Sequence, residues 1–211
     1  MIKNIITRML PILISVVSLV VSITVAWFTL LWRGNLGMTH PMLVGFLYED
    51  DRPKVFFRVM LYATGKRGHI IEALYLKVHR GESTQTFNFW MYGETKDLKI
   101  GSGLRVGEDG VSFNHHFLPP RDVSSYAFLA GDYVIDVYAR ILNRNAPVHL
   151  ASVKLSLATE LAEALHDHTR GVLFTWGPDS QRYRGDVSEP TPGEGRAWSV
   201  SGAGRGKLPW A

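Results

Sequence analysis

Histidine is the first place to look for chemistry in this 211-residue chain, where it occurs eight times and cysteine is absent. Without cysteine there are no disulfides, thiolate metal sites, thiol nucleophiles or Cys-linked lipids. Asn114-His115-His116 is the densest pair. In a strand, however, adjacent side chains point to opposite faces, so His115 and His116 cannot hold one metal together. His166 and His168 lie two apart in a stretch with helical patterning, which also puts them on different sides. Gly65-Lys66-Arg67-Gly68-His69 lacks the GxxxxGK[ST] spacing of a phosphate loop and precedes a strand instead of a helix. A hairpin turn accounts for it better. No HExxH, GxSxG or DxDxDG motif occurs. Four polar residues, His69, Glu72, His115 and Asp132, remain as the raw material of a site assembled from distant parts of the chain. A cleft holding them within hydrogen-bond reach would mark a membrane-tethered enzyme. The expectation is no catalytic set, no metal and no cofactor.

The elements that carry these residues divide sharply by composition. The whole chain is 46% apolar and 20% charged, with a formal net charge of +4. So small an excess, without a clustered basic face, argues against a nucleic-acid partner. Residues 1–32 contain no acid and only two basic side chains, Lys3 and Arg8. From Met9 to Trp32 there is no charge at all, and about 20 apolar residues suffice to cross the roughly 30 Å hydrocarbon core of a bilayer as a helix. Pro11 fits the first turn of such a helix. Trp27, Phe28 and Trp32 gather at its far end, as aromatics do at the headgroup level.

A cleaved signal peptide would have a shorter apolar region and a small-x-small cleavage site. The run here is longer and Ala-Trp-Phe-Thr-Leu-Leu-Trp-Arg offers no such site, so residues 9–32 are expected to form an uncleaved signal anchor. Lys3, Arg8 and the α-amino group flank one side, whereas Arg33 stands alone on the other until Arg52. The bias puts the N-terminal flank, residues 1–8, in the cytoplasm and the large domain across the membrane. Ser15, Ser18, Ser22 and Thr29 fall at a and d spacings of a heptad, with Ala26 beside the stripe. Such a face lets a second helix approach, in a homo-oligomer or against another protein. The alternative is that each hydroxyl bonds its own i−4 carbonyl and faces lipid.

After a linker at residues 33–37, apolar runs shorten to strand length between turn residues. Strands are expected at Met42–Tyr48, Lys54–Thr64, Ile70–His79, Thr84–Tyr92, Leu104–Val106, Val111–Leu118, Tyr133–Leu142 and Val148–Leu157, with a last edge strand at Val172–Trp176. The Tyr133–Leu142 and Val148–Leu157 pair reads as a long hairpin whose register follows its buried face. One helix is expected at Glu160–His168 with Thr159 as N-cap. The fold class is therefore mainly β: an N-terminal transmembrane helix, then an antiparallel immunoglobulin-like sandwich over residues 38–184 with one short helix. Tyr133, at the head of a penultimate strand after Gly131, suits a tyrosine corner. Residues 185–211, rich in Gly, Pro and Ser, are expected to be a disordered tail in which Trp198 and Trp210 are the large apolar groups.

Taken as a set, Tyr62-Ala63-Thr64-Gly65-Lys66-Arg67-Gly68-His69-Ile70-Ile71-Glu72, Phe87-Asn88-Phe89-Trp90-Met91-Tyr92-Gly93, Phe113-Asn114-His115-His116-Phe117, Ala130-Gly131-Asp132-Tyr133 and Thr175-Trp176-Gly177-Pro178-Asp179-Ser180 resemble an uncharacterised family of bacterial single-pass membrane proteins. The resemblance covers roughly residues 9–184. It implies a bacterial source and an anchor-plus-domain plan, and carries no activity with it.

The functional expectation is a non-enzymatic protein of the bacterial inner membrane. Its sandwich, anchored in the lipid bilayer by the transmembrane helix, would bind a protein or envelope component on the periplasmic side. The competing expectations are an accessory subunit of a larger membrane complex, held through the Ser15/Ser18/Ser22 face, and the tethered enzyme described above.

Overall fold

The computed structural model describes residues 2–32, 34–93, 98–121, 126–190 and 198–200. Arg33, the tail segments 191–197 and 201–211, and with them Trp210, lie outside the described residues.

The chain begins with α1, Ile2–Ala26, which ends in a π-type turn over Trp27–Leu31. Met9–Thr29 is apolar and long enough to cross a membrane, and none of it is buried against protein. The helix starts well before Pro11, which therefore sits inside it, contrary to the first-turn position expected from the sequence. The Ser15 hydroxyl donates to the Pro11 carbonyl at 2.8 Å.

The strands are β1 (Leu36–Met38), β2 (Leu43–Glu49), β3 (Arg52–Ala63), β4 (His69–Arg80), β5 (Ser83–Phe87), β6 (Phe89–Gly93), β7 (Lys99–Ile100), β8 (Leu104–Val106), β9 (Val111–Leu118), β10 (Gly131–Ile141), β11 (Val148–Leu157), β12 (Gly171–Gly177), β13 (Arg182–Pro190) and β14 (Trp198–Val200), with α2 (Thr159–Ala164) between β11 and β12. They form two antiparallel sheets. The larger runs β14-β13-β12-β2-β3-β9-β6-β7 with β1 also on β3, and the smaller runs β11-β10-β4-β5 with β8 also on β4.

Alternation explains why the sheets face each other. Along β10, Tyr133, Ile135, Val137, Ala139 and Ile141 are all at most 1% exposed, while the residues between them turn outward. From the larger sheet, Val55, Phe57, Val59 and Leu61 on β3 and Val44 and Phe46 on β2 meet them. Aromatic rings fill the middle: Phe46 stacks on Phe128 with centroids 4.3 Å apart and meets Tyr133 and Phe174 edge-on at 5.3 and 5.2 Å. The hairpin β10–β11 pairs from Gly131↔Leu157 to Ala139↔Val148, with one register shift at Val137/Tyr138.

Five departures from the sequence reading have physical causes. The expected single strand Thr84–Tyr92 is two strands, because the chain crosses at Asn88 from the smaller sheet to the larger. That crossing inverts the alternation, so Phe87 and Trp90 are buried while Phe89 is 40% exposed. The helix is six residues starting at Thr159, with Ala158 as N-cap. It stops early because Asp167 accepts hydrogen bonds from the Thr169 amide and hydroxyl, a local turn that competes with helix. β12 lies between β2 and β13 and is not an edge strand. β13 continues to Pro190, so residues 185–190 belong to a sheet, although the tail was expected to start there. Leu36 and Gly37, read as linker, pair with Ala63 and Tyr62, and Leu36 is 7% exposed.

Candidate functional site

The four polar residues singled out from the sequence are set far apart by the strand register. His69 opens β4 next to Val106 of β8, and is buried. Glu72 lies three residues on, exposed on the outer side of the same sheet. Asp132 is on β10 opposite Ser156, and its neighbour Tyr133 pairs with Arg80 at the far end of β4. A whole strand length therefore separates Asp132 from His69 and Glu72. His115 belongs to the other sheet, where it pairs with Phe57 and Tyr92. The cleft that would have marked an enzyme built from these four does not form.

His115 and His116 do point to opposite faces. His115 is fully buried, and its Nδ1 accepts a 3.1 Å hydrogen bond from Trp90 Nε1. That bond assigns the ring a neutral form with the proton on Nε2. Burial lowers the His115 pKa to about 4. His116 stacks on Phe56 on the outer side of the larger sheet, with centroids 5.6 Å apart. Its pKa falls to about 3 through burial first, then the charges of Lys54 and His115. Both histidines are packing residues held neutral.

The densest polar cluster among the described residues is one that the sequence did not single out. On the outer face of the smaller sheet, Asp136 of β10 accepts a short hydrogen bond from the Ser152 hydroxyl of β11. The same carboxylate lies 3.4 Å from His149 Nε2 and 3.3 Å from His79 Nε2. Burial tends to raise the Asp136 pKa, but the hydrogen bonds from Ser152 and His149 and the two histidine charges outweigh it and hold the carboxyl low. Beside the cluster, Tyr138 stacks on Tyr75 at 5.3 Å and Lys77 Nζ lies 5.3 Å over the Tyr138 ring. The signal was in the hairpin: once its register is set, Asp136 stands opposite Ser152 and Tyr138 opposite His149. A Ser-His-Asp relay needs the two ring nitrogens to serve different partners. Here His149 Nε2 faces both Ser152, at 3.1 Å, and Asp136. The cluster therefore lacks the relay geometry, because one ring nitrogen of His149 faces both partners. Among the described residues no group of three His, Asp or Glu side chains is placed to hold a metal.

At the head of β10 the Tyr133 hydroxyl donates to the Leu129 carbonyl at 2.6 Å and accepts from the Leu129 amide at 3.0 Å. The bond ties the strand to the segment four residues upstream. On the helix, Ser22 donates to the Ser18 carbonyl and Thr29 to the Val25 carbonyl, as Ser15 does to Pro11. These hydroxyls of the Ser15/Ser18/Ser22/Ala26/Thr29 stripe are therefore satisfied within their own helix. Trp27, Phe28 and Trp32 are 57%, 54% and 45% exposed, and Phe28 meets Trp32 edge-on at 5.8 Å.

No family model matches the chain, and no curated protein or solved structure proved similar to it.

Proposed function

We propose that this chain is a single-pass membrane protein whose sandwich works as a non-enzymatic binding or scaffold domain on the far side of the membrane from its N-terminus. In a bacterium that means the inner membrane, with residues 1–8 cytoplasmic and the domain periplasmic. The observation that carries the reading is the junction. An apolar helix with no protein contact runs, within a few residues of Trp32, into β1 of a folded domain. A domain held this way is presented at a surface. Its outer sheet face carries Tyr75 and Tyr138, a residue type enriched in interfaces, beside the polar cluster of His79, Asp136 and His149. The corner bond of Tyr133 supports the immunoglobulin-like description of the sandwich.

Two experiments test the proposal. Alkaline phosphatase fused after Pro209 should be active and a cytoplasmic reporter at the same point silent; the reverse would overturn the orientation. Affinity purification of the full chain from membranes in mild detergent, followed by mass spectrometry, should recover a partner in constant proportion. That partner should be lost when Tyr138→Ala and His149→Ala are combined. Retention of the same partner by that variant would show that another surface does the binding.

A further inference from the structure

The end of the sandwich that receives the helix differs from the rest of the surface. Asn35, three residues after Trp32, is bonded to the β3–β4 turn: its amide donates to Thr64 Oγ1 at 2.8 Å and its carbonyl accepts from the Thr64 amide at 2.9 Å. Three residues span at most about 11 Å of extended chain. This turn therefore stays close to the end of α1 however the domain swings. The turn continues through Gly65, Lys66 and Arg67 to Gly68, whose φ is 65° and where a Cβ would come within 2.4 Å of the Val106 carbonyl oxygen, leaving no room for a side chain.

Three further segments converge there. Arg105 on β8 pairs opposite Ile70, the Leu142 amide donates to the Ile70 carbonyl at 2.9 Å, and Asn143 turns the chain with a φ of 66°. Together they enclose an open cleft of about 290 Å³ lined by Arg67, Gly68, His69, Ile70, Arg105, Leu142 and Asn143. Its chemistry is mixed. The side chains of Arg67 and Arg105 are exposed and, among the described residues, have no hydrogen-bond or ion-pair partner; Ile70 and Leu142 are 41% and 38% exposed beside them. Lys66 and Arg144 add positive charge from the flanking turns. Among the described residues the acids at this end are Glu108 and Asp109, on the β8–β9 turn, and Glu72, two residues beyond Ile70 on β4; none of the three lines the cleft.

We propose that this cleft receives the anionic headgroup of a lipid from the same bilayer that holds α1. The guanidinium groups would take the phosphate, and Ile70 and Leu142 would meet the glycerol and upper acyl region. The inference rests on the membrane-anchored reading and adds a ligand to it. Guanidinium forks suit phosphate oxygens, and an anionic leaflet attracts basic residues held within a Debye length of its surface. The tether supplies that proximity, which a soluble phosphate ligand would not require. A second contact near the span would also restrict how the domain swings on its short linker.

Hydrogen exchange on the full chain in nanodiscs tests this. Discs of phosphatidylcholine alone are compared with discs containing phosphatidylglycerol, with the anchor peptides at residues 9–29 as internal reference. The amides of residues 65–71 and 141–144 should exchange more slowly in the anionic discs, by up to about 25-fold if each arginine contributes about fivefold in affinity. Arg67→Gln combined with Arg105→Gln should remove the difference without changing the melting midpoint. Arg121→Gln, at the opposite end, should preserve it. Equal exchange in both discs would overturn the proposal. Protection by inorganic phosphate in phosphatidylcholine discs to the same degree would overturn the lipid as ligand. Rapid exchange throughout residues 9–29 in both discs would instead defeat the anchored reading itself.

Discussion

The helix and the long hairpin strand are both rich in apolar residues, and they spend them in opposite ways. In α1, the consecutive residues Leu19, Val20 and Val21 point about 100° apart around the helix, and all are more than half exposed to whatever surrounds the protein. In β10, apolar side chains occupy every second position and each is at most 1% exposed. Uniform apolarity calls for an apolar surrounding on all sides, whereas alternation calls for a second sheet on one side. The same residue types thus specify a solvent in one region and a packing partner in the other.

Exchanging a charge between the two regions gives the largest effect. Val17→Asp with Val20→Asp should abolish membrane retention, since each Asp at mid-span costs about 2.5–3.5 kcal/mol of insertion. Fractionation would then find the chain outside the membrane. Val137→Asp should do the reverse: it buries an unpaired charge between the sheets and abolishes the cooperative melt, while the chain stays in the membrane. If Val137→Asp melts normally, the inward face of β10 has been misassigned.

A smaller effect sharpens the contrast by pH, because the sandwich holds buried titratable groups. His115 and His116 have folded pKa values of about 4 and about 3, below the ordinary 6.5. Below pH 6.5 the unfolded chain takes up protons that the folded chain refuses, so stability falls as pH drops. Between pH 7 and 5 the loss should be about 2 kcal/mol for His115. Thermal melts across that range check it, and His115→Gln should remove about half of the dependence, leaving the His116 share. An unchanged midpoint from pH 7 to 5 would mean that neither ring is held neutral by burial.

The finest comparison lies within β10. Tyr133→Phe keeps the ring between Phe46 and its neighbours but removes the bond to Leu129, at a cost of about 1–3 kcal/mol. At roughly 2–5 °C per kcal/mol for a domain of this size, the melting midpoint should fall by several degrees. Tyr138→Phe, on the outer face, should leave it nearly unchanged. Equal shifts would show that the corner bond contributes nothing special.

How much of this was legible in the sequence depends on the range of the interaction. The charge-free run from Met9, the alternation of Tyr133–Leu142 against Val148–Leu157 and the hydroxyl reach of Tyr133 toward Leu129 are all local, and the structure places them there. The sheet change at Asn88 was hidden, because Thr84–Tyr92 alternates smoothly enough to pass for one strand until a second sheet is known. The early stop of α2 depends on Asp167 capturing Thr169, a competition that helical periodicity does not register. The Asp136 cluster draws on three strands, and its members share no motif. The same is true of the Arg67 and Arg105 cleft, which exists only because β8 returns beside β4.

Removing residues 1–33 tests the account most directly, since it cuts before β1 and spares the Leu36–Ala63 pairing. The remaining chain should be soluble without detergent, β-rich by circular dichroism, and melt in one cooperative step close to the midpoint of the full chain in detergent. Aggregation, or a melt without a cooperative transition, would contradict the division into an anchor outside the core and a domain that folds without it.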